Sequence, residues 1–78
     1  MAETKQYDLT GQGGIDVWRN LPEGAEITLI NGAVGEITAN PRDGGWVLVK
    51  FRAHPDASKV GQEEYVMFNE VKGAAGAG

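Results

Sequence analysis

The amino-acid sequence predicts an all-β fold: a small, partly open β-barrel of about five short antiparallel strands. Three observations carry this expectation. Apolar and polar residues alternate over short runs, turn residues punctuate the runs, and only 78 residues are available to build one core. Four or five short strands left as a flat sheet would expose apolar surface and unpaired edges, whereas rolling them up buries one face of each. A chain of this length holds a single domain. It contains no cysteine, so neither a disulfide nor a thiolate metal site reinforces it.

The large apolar residues are concentrated from Ile15 to Val71, which places the domain at residues 15–71. Residues 1–14 are read as a flexible lead-in, and "KGAAGAG" (72–78) as a disordered tail, because small and polar side chains bury too little to offset backbone entropy. "TGQGG" (10–14) lacks the Lys-Ser/Thr that a phosphate-cradling loop carries after its last glycine, and it reads as a linker. "IDVWRNLPEGAE" supports two readings. Ile15, Trp18 and Leu21 lie at helical spacing, while Ile15, Val17 and Arg19 alternate with Asp16 and Trp18 as in a strand. The extended reading is preferred, and Pro22 and Gly24 end either one.

From Glu26 the pattern sharpens. "EITLI" sets Ile27 and Leu29 on one face, and Asn31-Gly32 then predicts a type I′ hairpin turn. "AVGEITA" continues as a strand with Ile37 toward the core, and Gly35 within it marks a bulge or a close approach of backbones. "NPRDGG" is a second turn. In "WVLVKFR", Val47, Val49 and Phe51 share the core face, leaving Trp46, Leu48, Lys50 and Arg52 on the other. A polar connection from Ala53 to Glu64 follows. "YVMFNEV" is the last strand, with Val66 and Phe68 opposite Tyr65 and Met67.

In this order, "GAEITL" (24–29), the glycine turn at Gly32, "VGEI" (34–37), "WVLVKF" (46–51) and "YVMFNEV" (65–71) resemble an SH3-like barrel over about two thirds of the chain. The layout is similar to KOW and Tudor-like modules, which bind RNA, ribosomal components or protein segments. It is also similar to electron-transport accessory proteins, such as a small accessory protein of photosystem I and the variable chain of ferredoxin–thioredoxin reductase, where Glu70-Val71 would answer to the closing motif. Plasmid-type dihydrofolate reductases share the fold and the size, but their Val-Gln-Ile-Tyr signature is missing, so that activity is not implied. Fold likeness bears on function only by association.

Eleven acidic residues against seven basic ones give a net charge of −4, the opposite of most phosphate-gripping proteins. A local basic face of Arg42, Lys50, Arg52 and Lys59, with Trp46 for stacking, is the alternative that would support a KOW-like nucleic-acid module. His54, the sole histidine, lies near Asp56, Glu63 and Glu64, but one imidazole on a polar loop falls short of a transition-metal site. Nor does Ser58 have an organised base. The expectation is therefore a non-catalytic protein-binding or assembly module with neither metal nor cofactor. Its partner contacts are assigned to Trp18, Trp46 and Tyr65 and to His54, Asp56 and Lys59 of the loop, with Trp18 the aromatic most expected at the surface. A barrel edge offers a route to homo-oligomers. No apolar run reaches membrane-span length, and no basic-then-apolar leader opens the chain, so a cytoplasmic location is expected.

Overall fold

In the computed structural model, residues 4–43 and 45–77 are described. Six strands form one antiparallel sheet: β1 (Thr4–Tyr7), β2 (Glu26–Leu29), β3 (Val34–Ala39), β4 (Trp46–Ala53), β5 (Glu63–Met67) and β6 (Val71–Ala77). A short helix, α1 (Gly14–Arg19), lies between β1 and β2. The sheet order is β1-β6-β2-β3-β4-β5, and the sheet is not closed, so β1 and β5 are its edges. The all-β, partly open barrel expected from the sequence is the architecture observed.

Alternation places the core as expected along the meander. Ile27, Leu29, Ile37, Val47, Val49, Phe51 and Val66 are all buried, and among the described residues the core contains no polar side chain. Gly35 fulfils both of its expected roles. The β3–β4 register shifts between Val34 and Gly35. A Cβ at Gly35 would also lie 2.3 Å from Val49 Cγ1 and 2.7 Å from the Lys50 carbonyl oxygen.

The β2–β3 turn departs from the expected type I′ form. Gly32 has a φ of 94°, but Arg42 is the one non-glycine with positive φ among the described residues, so Asn31 does not take the second left-handed position. Instead Gly32 N–H donates to the Leu29 carbonyl at 3.0 Å and Leu29 N–H donates to the Ala33 carbonyl at 2.8 Å. The Asn31 side chain accepts from Ala33 N–H at 2.9 Å. The result is a three-residue loop with glycine in the left-handed position.

Three further expectations are corrected. The extended reading of residues 15–21 gives way to α1, because a helix swings Trp18 and Leu21 onto the core together, whereas a strand would split Trp18 from Ile15 and Val17. The flexible lead-in and the disordered tail are replaced by β1 and β6. β6 pairs with β2 on one side and β1 on the other, so hydrogen bonds along both edges order a segment with few side chains to bury. Residues 1–3 and 78 of those segments lie outside the described residues. The long connection, with β4 reaching Ala53 and β5 starting at Glu63, is a folded turn containing a 3₁₀ segment at Ala57–Lys59.

Candidate functional site

The outer face of the β4–β5 pair carries the largest apolar side chains left at the surface. The antiparallel register sets Trp46 opposite Met67, Leu48 opposite Tyr65 and Lys50 opposite Glu63. Residues directly opposite share a face, so Trp46, Leu48, Tyr65 and Met67 form one cluster. Trp46 is 37% exposed, Tyr65 65% and Met67 45%. The Trp46 and Tyr65 rings meet edge to face with centroids 4.2 Å apart, the geometry favoured by aromatic quadrupoles.

This cluster borders the unpaired side of β5. Phe51 N–H donates to the Gln62 carbonyl at 3.0 Å, which sets the alternation along the pair. Glu64 and Val66 direct their backbone groups to β4, while Glu63, Tyr65 and Met67 direct theirs away from the sheet. The outward N–H of Met67 donates to Glu70 Oε2 at 2.8 Å. Glu70 belongs to a 3₁₀ turn, Phe68–Glu70, that leads into β6.

The four basic residues are interleaved with acids. Lys50 stands between Glu36 on β3 and Glu63 on β5. Arg52 forms an ion pair with Glu26, and Lys59 forms one with Glu64. Arg42 sits exposed in the β3–β4 turn at a φ of 63°, its N–H donating to Asn40 Oδ1 at 2.8 Å. Asn40 in turn donates through Nδ2 to the carbonyls of Arg19 and Leu21, fastening this turn to the end of α1. Glu63 accepts from Thr38 Oγ1 at 2.7 Å.

His54, Asp56 and Ser58 act on one another in an order that closes the loop. His54 Nδ1 accepts from the backbone N–H of Asp56 at 2.9 Å, and its ring stands edge-on to Phe51 with centroids 4.8 Å apart. The Asp56 carboxylate accepts from Ser58 Oγ at 2.7 Å and from Ser58 N–H at 3.0 Å. Those two bonds hold the Asp56 carboxyl below its ordinary range. Hydrogen bonding to Glu64 raises the Lys59 ammonium above its ordinary value. Among the described residues, no group of three His, Cys, Asp or Glu side chains is gathered around a metal position.

Trp18 is the main correction to the expected site. It is 0% exposed, packed in the core with its ring 5.7 Å from that of Phe68, and cannot meet a partner. Trp46 and Tyr65 are brought together. The loop residues His54, Asp56 and Lys59 belong to the β4–β5 connection beyond Lys50, at the opposite end of the hairpin from Trp46. Met67 and Leu48 were missed as members of the cluster, although the alternation in "WVLVKF" and "YVMF" already placed them with Trp46 and Tyr65. Glu70 had no local signal, because its role depends on a turn that bends it back to Met67.

Two surface grooves elsewhere among the described residues lack such a concentration. One of about 380 Å³ is lined by Leu29, Ile30, Asn31, Asn69 and Glu70. Another of about 350 Å³ is lined by Glu36, Lys50, Phe51 and Arg52, mixing both signs of charge. Among the described residues no helix is long and apolar enough to cross a membrane. The chain matches no protein family, no curated protein and no solved structure.

Proposed function

We propose that the chain is a non-catalytic protein-binding or assembly module of the cytoplasm that docks its partner on the outer face of β4 and β5. The observation that carries this reading is the exposed Trp46–Tyr65 pair, extended by Leu48 and Met67 beside an unpaired strand. Tryptophan and tyrosine dominate the energetics of protein interfaces, and contiguous apolar surface marks docking sites. Absence of cysteine suits a reducing compartment. The β2-to-β5 meander is read as SH3-like in layout.

Two alternatives have less support. A nucleic-acid face would need Arg42, Lys50, Arg52 and Lys59 to act together, yet Glu26, Glu36, Glu63 and Glu64 stand among them. An acid–base role for His54 would need its nitrogen aimed at a reacting group, and its Nδ1 is engaged by Asp56 N–H.

The test is affinity capture from an extract of the source organism, with and without nuclease, using the natural chain and a Trp46→Ala/Tyr65→Ala variant. An exposed cross-strand pair contributes about 0.2–1 kcal/mol, so the variant stays folded by circular dichroism. A stoichiometric protein held by the natural chain and lost by the variant supports the reading. A partner retained equally by both, or material released by nuclease, overturns it.

A further inference from the structure

We infer that β5 accepts an extended, cationic segment of a partner protein as a seventh strand, with its outer-face side chains resting on the Trp46–Tyr65 cluster. The inference rests on the docking face proposed above and adds the backbone geometry and the chemistry of the occupant.

β5 is an edge, and Glu63 and Tyr65 direct their N–H and C=O groups away from β4. An incoming strand forms its hydrogen bonds at those two residues, because the Met67 carbonyl, at the N-cap of the 3₁₀ turn, accepts the first bond of that turn. At Met67 the N–H is already satisfied by Glu70, which limits the addition to a short segment. Residues opposite Glu63, Tyr65 and Met67 lie on the outer face, level with the aromatic cluster.

Charge decides the occupant. A carboxylate stands toward each end of the open strand, Glu63 at its start and Glu70 beside Met67, the backbones of residues 63 and 67 being about 13 Å apart at the rise of an extended chain. Lys50, standing between Glu36 and Glu63, offsets one of those two charges, and Glu64 is matched by Lys59, which leaves this face net negative. A second copy of this chain fits poorly. Antiparallel pairing about Tyr65 would set each Glu63 opposite the other copy's Met67, against the Glu70 carboxylate, and would do so twice. A segment with lysine or arginine at both ends and an apolar residue between them answers both carboxylates and the Tyr65 ring. Strand addition gives affinity through the backbone, and the alternate side chains select the sequence.

The probe is the blocked pentapeptide Lys-Thr-Val-Thr-Lys, which pairs antiparallel with its valine opposite Tyr65 and a lysine toward each end of β5. It is titrated at low salt into the labelled full chain and followed by NMR. The expected result is movement of the Glu63 and Tyr65 amide signals and of the Trp46 indole. N-methylation of the central valine, which removes the donor facing the Tyr65 carbonyl, is expected to weaken binding about tenfold. Glu63→Gln and Glu70→Gln are each expected to weaken it by up to about fivefold, Gln at 70 keeping an acceptor for Met67 N–H. An equal response to Glu-Thr-Val-Thr-Glu overturns the charge selection. Shifts confined to the Trp46, Leu48 and Met67 side chains, indifferent to N-methylation, overturn strand addition while leaving the docking face standing. Absence of any shift overturns the cationic-strand inference, and extract capture then judges the docking face by itself. Concentration-dependent changes at β5 without peptide assign the edge to a second copy and overturn it as well.

Discussion

Gly35 shows how closely two strands are drawn together at one residue. A methyl group there meets the Val49 side chain, and also the Lys50 carbonyl, which is backbone and cannot swing aside. Gly35→Ala is expected to cost about 1–3 kcal/mol in urea unfolding, by overpacking. Gly73→Ala, with nothing within 4 Å, is expected to stay within about 0.5 kcal/mol. The requirement at Gly35 was legible, because glycine inside an otherwise regular strand points to a bulge or a close backbone approach. Trp18 was not legible in the same way. A tryptophan outside the clear strands suggested an exposed contact, but α1 carries it into the core. Trp18→Ala is expected to lose about 3–5 kcal/mol, comparable with the whole stability of so small a domain, and to give an unfolded spectrum by circular dichroism. Asp56 yields a prediction in pH. Its folded carboxyl is held low chiefly by the Ser58 hydroxyl, so its contribution to the loop is complete above the ordinary carboxylate range and is lost as pH falls through the lowered value. Ser58→Ala should move the Asp56 titration, followed by NMR, upward toward that ordinary range. An unchanged titration would mean that the Ser58 hydroxyl does not set it.

At the scale of elements, β6 shows how composition misleads. Lysine, glycine and alanine suggested a tail with nothing to bury, yet glycine and alanine also lose little side-chain freedom when ordered. The strand gains hydrogen bonds along both edges, Ala74 is buried, and the Tyr7 ring lies against Gly76. Deleting residues 72–78 removes a strand that lies between β1 and β2. The expected outcome is loss of a cooperative thermal transition. A truncated chain that melts as the full one does would contradict the place of β6 in the sheet. The middle of the chain was more legible, because alternation over β2 to β5 reports directly which face is buried. Long-range pairing of chain ends leaves no such periodic trace.

Over the whole molecule, one apolar core forms from a sheet that does not close, with β1 and β5 as its outer strands. Every strand pairing among the described residues is antiparallel, and β5 is the edge that lies beside the exposed Trp46–Tyr65 pair. Trp46 and Tyr65 could be nominated from the alternation of their strands. Their contact, the neighbouring edge and the Glu70 cap depend on cross-strand register and on a turn between strands, which alternation within a strand does not encode. The central claim is that this face, and not exposed apolar surface in general, meets the partner. Ile30 provides the control, since at 69% it is as exposed as Tyr65 at 65% but lies in the β2–β3 turn. A photo-crosslinking residue placed at position 65 in one chain and at position 30 in another, each irradiated in nuclease-treated extract, makes the comparison. One defined protein adduct from position 65 and none from position 30 is the result predicted. The same adducts from both positions, or an adduct from position 30 alone, would contradict it.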